Sequence, residues 1–526
     1  MQPSISEQYW HTAYTHIMSA DVHLAGQMET DYSAAEPDPA DFAVVIYNDS
    51  GKGTINWDGL GDYANAMGFV TKMSEDGTAY LLYRFNLETG YYERQSEGQL
   101  TLILNEVVKS FFNTVVPATF PKLITTNILP VLKKVEQLQP KGLVAVLEML
   151  YKDGEVIPFK NGIYSVRYNR LLPRTSYIFI ENPLEVDFNP NSLCHSIAER
   201  YMEIVCGNLD LLYDLLEQCG YIFYARTFTV PSFVIFTGSE GRNGKSTTIH
   251  TIETIIGKKN ASYLSMYDMS DKHVLSTTIG KYINIAPDSS SGLRDKRFAS
   301  SDAAEFIKVS TEGEAYTFNP KYVGSFAAHG PKKFIFATNV ELNFGGSDGG
   351  LERRMFVIPF DNHFDEDRTV NKLYEEKEAV EWFAMNSLVA FLCFVHRGCS
   401  AAGVDEYRSG VPFTGMFKSS DASIRAKLDQ MEAQNTVFEW LAIGAGLNIA
   451  DKREVSMWVN GKISLFNEYD MYCQRYKRNP MGLRRFNKEL KKKFGINVDR
   501  TMLNGEHVYR YTADANVLMN VPEGKR

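Results

Sequence analysis

The sequence predicts an α/β protein whose core is a mainly parallel sheet. Three observations predict it. The hydrophobic run Phe233-Val-Ile-Phe-Thr237 passes through a glycine-rich loop into Thr247–Ile256, where apolar residues recur at helical spacing. Three further strand-like runs follow, at Tyr282–Ala286, Lys333–Ala337 and Arg354–Phe360, alternating with helical segments as crossover connections require. The chain then closes with two helical stretches and an alternating run, Arg500–Thr512, folded around Asn504-Gly505.

The elements before the loop are more mixed. Residues 1–60 are acidic and rich in turn formers, with Glu36-Pro-Asp-Pro-Ala-Asp41 and Asn48-Asp-Ser-Gly-Lys-Gly53 as breakers. Ala79–Glu93 reads as a hairpin turning at Asn86–Gly90, and helical periodicity runs through Gln99–Phe112 and Thr125–Gln139. Ile157–Val166 reads as a strand pair, and Leu193–Cys219 as a helix-rich stretch leading into the loop strand. At 526 residues the chain exceeds one core. The expected division is residues 1–75, an α+β unit at 76–204, the loop-bearing core at 205–365, a helical segment at 366–435 and a basic winged-helix unit at 436–526.

Composition narrows the class. With 44% apolar and 23% charged residues the chain reads as a globular protein. No apolar run reaches the ~18–20 residues that span a bilayer, and Met1–Glu7 lacks the basic and apolar regions of a secretion signal. The six cysteines form no C-x-x-C pair, as in a reducing cytoplasm. A cytoplasmic protein with no membrane partner is expected. The net charge of −9 is uneven: residues 451–526 hold 16 Lys and Arg against 9 Asp and Glu. A basic end on an acidic chain is suited to phosphate.

The loop Gly238-Ser-Glu-Gly-Arg-Asn-Gly-Lys-Ser-Thr247 carries the chemistry. Gly238, Gly241 and Gly244 let backbone N–H groups turn inward around phosphate oxygens. Lys245 reaches the β- and γ-phosphates, the Ser246 hydroxyl suits Mg²⁺, and Asn243 and Thr247 complete the cradle at a helix N-terminus. Ser239 stands where the usual pattern places its first glycine, and Gly238 lies one place early. Asp288, ending Tyr282-Ile-Asn-Ile-Ala-Pro-Asp288, is the candidate acid for Mg²⁺ and for the attacking water; a plain turn aspartate is the alternative. Asn339, ending a hydrophobic strand, can hydrogen-bond the γ-phosphate without neutralising a metal. Of Arg353-Arg354, one arginine placed across a subunit boundary can stabilise charge on the transferred phosphoryl group, or both can be solvated.

In this order, phosphate loop, acidic strand end, Thr338-Asn339 and Arg353-Arg354 before Ile358-Pro-Phe360, the series resembles the superfamily 3 (AAA+-like) helicases. It is most similar to the phage, plasmid and poxvirus primase–helicase branch, whose loop ends Asn-Gly-Lys-Ser-Thr as residues 243–247 do. The likeness covers about residues 80–515 and departs at Ser239 and at the single Asp288, where Glu is commoner. It implies an AAA+-type ATPase core using ATP and Mg²⁺, a ring that is usually a hexamer, and a catalytic set of Lys245, Asp288, Asn339, Arg353 and Arg354. It also implies a hairpin lining a DNA channel, here between Glu314 and Pro331, with Lys321, Tyr322, Phe326 and His329 and with Lys332 and Lys333 just beyond. Lysines suit backbone phosphates, and Tyr322 suits a stacked base. In the basic end, Arg484, Arg485, Lys488, Lys491 and Lys492 cluster on a candidate recognition helix.

The leading expectation is an ATP-driven helicase on single-stranded or forked DNA, replicating a phage, plasmid or other mobile element. A nucleotide-gated DNA-binding or defence scaffold with little unwinding is the alternative from another class. A primase–helicase is a third; Asp38 and Asp41 have no convincing carboxylate partner, so a separate primase is expected.

Overall fold

A computed structural model describes residues 5–23, 28–30, 32, 35–51, 53–74, 77–78, 80–111, 129–135, 156–166, 168–193, 197–225, 229–238, 241–286, 301–321, 324–339, 349–364, 369–398, 417, 419–433, 437, 440, 453–456, 464–475, 480–494, 497–503 and 506–512. Ser239, Asp288, Tyr322 and the Asn504-Gly505 turn lie outside them.

The fold is mixed α/β with a parallel sheet. Its strands are β1 (Phe233–Thr237), β2 (Ala261–Ser262), β3 (Ile283–Ala286), β4 (Lys333–Thr338) and β5 (Met355–Pro359). They lie in the order β2-β3-β4-β1-β5, every neighbouring pair parallel. A parallel sheet needs cover on both faces, which is why these strands read as nearly unbroken hydrophobic runs. Val234 and Phe236 face one core with Ile249, Ile252 and Leu388. Phe233 and Ile235 face a second core with Phe306, Ile307, Tyr83 and Phe85. Alternation along the strand thus feeds two layers. The chain leaves β1 for the far edge, works back to β4, and crosses β1 to reach β5. Such a reversal opens a crevice at the carboxyl ends of β1 and β4, where α/β sheets take ligands.

The expected hairpin is present as Tyr80–Asn86 paired with Tyr91–Arg94, and Phe69–Met73 adds a strand that the sequence did not suggest. The pair Val156–Phe159 and Gly162–Ser165 gains Arg170–Leu172 as a third strand. Helices at Ile5–Met18 and Trp57–Ala66 also went unforeseen in the turn-rich start. In the first, Ala13 and Ile17 are buried among the described side chains, and the helix packs on distant Lys377–Gly398. Asp38 behaves as a turn aspartate, its carboxylate accepting from Ala40 N–H at 2.9 Å.

Packing crosses two of the expected boundaries. Tyr201 and Ile204, Leu215 and Phe223, and Phe383 and Phe391 share one continuous core. Lys377–Gly398 lies along Leu209–Tyr224, with the Tyr224 hydroxyl donating to Ala384 O at 2.6 Å. Lys377–Val395 is long and apolar enough to cross a membrane, yet 94% of the stretch is buried inside the protein, where it serves as a core helix. Among the described residues Cys206, Cys219, Cys393 and Cys473 form no disulfide with one another.

At the basic end, helices Ser464–Arg475 and Leu483–Phe494 precede the antiparallel pair Asn497–Leu503 and Glu506–Thr512. A third strand, Arg453–Ser456, pairs with Glu506–Thr512 and was not expected. Trp440, Tyr469 and Phe486 form the aromatic centre of this unit.

Candidate functional site

The loop after β1 is shaped by left-handed backbone. Arg242 has φ 61° and Gly244 φ 90°, and the chain then enters the helix Lys245–Ile256. A non-glycine residue in that region carries strain, which surrounding contacts must hold. Here Phe364 N–H donates to Arg242 O at 2.8 Å, and Phe360 N–H donates to Thr237 O at 2.7 Å. The segment after β5 therefore straps the loop in place.

Gly238, the glycine that sits one place early, has a steric reason. A Cβ there would collide with the Asn243 amide, lie 2.7 Å from Phe360 O and lie 2.8 Å from the Lys245 ammonium. At Gly244 a Cβ would meet Ile204 at 3.0 Å, besides the positive φ. Gly241 differs: a Cβ would find no protein atom within 4 Å. So sterics inside the protein demand glycine at 238 and 244, not at 241.

Lys245 is 7% exposed, and its ammonium donates to Asn339 Oδ1 at 2.5 Å. β1 and β4 are neighbours with Thr237 opposite Thr338, so the residues following them converge. Two residues 94 apart in sequence meet at the crevice. Burial pushes the Lys245 amine down to about 8, opposed by the carboxylate of Asp361. Asp361 is a residue the sequence reading missed. The available signal was its place directly after β5, the other neighbour of β1. Asn243 and Thr247 are buried, whereas Ser246 is exposed at the start of the helix. Chemically, the crevice offers a desolvated cation, the N-terminus of the helix Lys245–Ile256 and an exposed hydroxyl. Such a cradle fits a chain of phosphates with a hydrated divalent cation. Among the described residues no group of three His, Cys, Asp or Glu is arranged to hold a metal.

The two arginines lie elsewhere. They precede β5, while the loop follows β1 at the opposite end of the same paired strands, roughly 16 Å of strand away. They also part company. Arg354 is 4% exposed, ion-paired with Glu312 and donating to Gly350 O at 2.6 Å. Arg353 is 69% exposed at its side chain, with Glu312 at 3.6 Å.

The expected hairpin exists as Tyr316–Phe318 paired with Phe326–Ala328. Lys321 is exposed at its turn, and Phe326 packs inward at 7% exposure. His329 is not with Lys321; it sits at the hairpin foot, where it lines a cavity. Lys333 is not at the surface either: it is buried, its ammonium 3.1 Å from the Tyr221 ring centroid. On helix Leu483–Phe494, Arg484, Lys488 and Lys491 are exposed at i, i+4 and i+7, opposite buried Phe486 and Leu490. Arg485 is half-buried, and the Lys492 side chain lies outside what is described.

Residues 236–354 match a model described as a family of unknown function, DUF5906. That segment runs from the end of β1 through Arg354. Among solved structures, the A form apo structure of the NrS-1 C-terminal region is similar at 12% identity and TM-score 0.42, covering 86% of this chain and 99% of that one. The apo structure of NrS-1 residues 305–718 is similar at 12% identity and TM-score 0.44, covering 86% and 98%.

Proposed function

We propose that the protein is an ATP-hydrolysing motor of the superfamily 3 helicase type that works as a ring on single-stranded or forked DNA during replication of a phage, plasmid or other mobile element. The observation carrying this reading is the meeting of Lys245 and Asn339 beneath a strapped glycine loop, with Arg353 exposed at the other edge of the same sheet. In this reading Gly238, Asn243, Gly244 and Lys245 hold the triphosphate, with Ser246 on Mg²⁺. Bound Mg²⁺ supplies charge neutralisation across the phosphates. Lys245 adds a second positive charge, strong because it is desolvated. Asn339 fixes the lysine head and directs an amide toward the terminal phosphate. Asp288 is the acid for metal and water, and Asp361 is a second carboxylate beside the lysine.

Arg353 cannot complete this site within one chain, since a strand length separates them. A neighbouring copy that brings its Arg353 to the crevice can, which favours a homo-oligomeric ring. Arg354 then serves as the anchor that orients its neighbour through Glu312. Lys321 at the hairpin turn, Tyr322 next to it in sequence, and Arg484, Lys488, Lys491 and their neighbours on the basic helix are the proposed DNA contacts. Two helices followed by a two-stranded wing, with a further strand from ahead of the helices joining that sheet, suit a winged-helix unit. A separate primase and a cytoplasmic setting belong to the same reading.

The test is DNA-stimulated ATP turnover with strand displacement on a forked substrate by the purified chain. Turnover with displacement, both lost in Lys245→Ala, is the expected result. DNA binding without turnover would replace the motor by the scaffold reading.

A further inference from the structure

Beneath the amino ends of β3 and β4, the α+β unit leaves an opening against the core. Two adjoining cavities lie there, of about 390 Å³ and 440 Å³, sharing Arg94, Glu181, Asn182 and Lys281 in their walls. This trough is on the opposite edge of the sheet from the glycine loop. The first cavity is markedly basic: Lys72, Arg94, Lys281, His329 and Lys332 line it, and Glu181 is the one carboxylate among its lining residues. In the second, Lys259 is matched by Glu93 at 2.9 Å and Glu185 at 3.2 Å.

Cations are packed closely in the first cavity. Gly280, at φ 74°, leaves room for the Arg94 side chain, whose Cδ would lie 2.7 Å from a Cβ at that position. Lys281 donates to Lys259 O at 2.5 Å, and burial and then Arg94 push its amine down. Such crowding is relieved by a bound anion. An aromatic platform stands beside these charges. Phe179, half-buried, is braced by Tyr83 at 4.8 Å and Tyr92 at 5.3 Å, with the Lys72 ammonium 5.6 Å from its centroid. Ala328, His329 and Gly330 form the wall where the hairpin starts, and the turn of that hairpin carries Lys321.

We infer that this trough takes a single strand of nucleic acid, with phosphates on Lys72, Arg94 and Lys332 and a base against Phe179. A single strand is favoured over a duplex because only an unstacked base can lie on the ring. It is favoured over a lone nucleotide because the basic walls run on to the hairpin foot. The choice of nucleic acid rests on the motor reading above; the trough itself does not involve the glycine loop.

The experiment is fluorescence anisotropy of a labelled oligo(dT) with the full chain, without ATP, across a salt series. Lys72→Glu/Lys332→Glu should weaken binding at least tenfold and flatten the salt slope by about 1.4, two single-strand phosphate contacts. Phe179→Ala should weaken it about tenfold with the slope unchanged. Melting temperature and the affinity for ATP should hold in both variants, and the surface control Lys109→Glu should bind normally. Unchanged affinity in the trough variants, or an equal loss in Lys109→Glu, would overturn the inference. Lys321→Ala separates the two readings. A loss there alone leaves the motor reading standing and removes the trough, whereas a loss in the trough variants alone does the reverse for the hairpin.

Discussion

The carboxyl and amino edges of the parallel sheet are built for opposite purposes. At the carboxyl edge the backbone is left-handed and strapped, glycine is compulsory at 238 and 244, and Lys245 and Asn339 are brought into contact. At the amino edge the side chains are long and charged, with Arg354 tied down to Glu312 and Arg353 held outward. In the reading proposed above the carboxyl edge would be a receptacle for phosphate, while the amino edge holds Arg353 outward beside Glu312. The difference teaches that one sheet can fix one edge through backbone hydrogen bonds and the other through ion pairs.

The largest predicted effect tests the receptacle. Lys245→Ala should abolish ATP turnover, by at least a hundredfold in phosphate release, with melting temperature preserved. Parental turnover would remove the site from this crevice. Next, Arg353→Ala should reduce turnover about a thousandfold without loss of stability, as removal of an arginine finger does. Arg354→Ala should instead unfold more easily, by about 1–2 kcal/mol, because the packing and hydrogen bond of buried Arg354 are lost and Glu312 is left with Arg353. Mixing Lys245→Ala with Arg353→Ala subunits should recover part of the turnover, because mixed neighbours include one intact pairing. No recovery would mean that the arginine does not act between chains. Third, Gly238→Ala should weaken nucleotide binding tens of fold by calorimetry, while Gly241→Ala should stay within about threefold. Equal losses would contradict the steric distinction drawn within the loop. The smallest effect is in pH. Lys245 titrates near 8 in the free protein, and a bound polyanion raises that value. Nucleotide affinity should therefore fall, a few-fold per unit, as pH rises through 8, with proton uptake on binding in buffers above it.

The two edges were unequally legible in the sequence. Loop, strand and helix around Lys245 are local in the chain, so their order declares them. Asn339 was picked out at the end of a strand, and pairing of β4 with β1 is what brings it to the lysine. Asp361 escaped notice because its proximity depends on β5 lying beside β1, a long-range pairing that no periodicity reports. Likewise Arg353 and Arg354 look alike in sequence, and only Glu312, 42 residues upstream of Arg354, tells the buried one from the exposed one. Lys333 follows the hairpin in sequence beside Lys332, and only its place inside the sheet puts its ammonium over Tyr221. The helix Ile5–Met18 was hidden because its supporting surface lies more than 350 residues away.

The strap from Phe360 to Phe364 gives β5 a further significance. The segment that follows this strand is bound to the glycine loop at Arg242, and the strand's other end begins directly after Arg353 and Arg354. In a ring of such chains each β5 would be a strut between consecutive sites, its head against one nucleotide and its foot reaching toward the next. A five-residue strand clamped between two layers of core cannot stretch, so displacement at one end arrives at the other as translation or tilt. Firing in one subunit would thus be felt next door through a single covalent rod rather than through a chain of soft contacts.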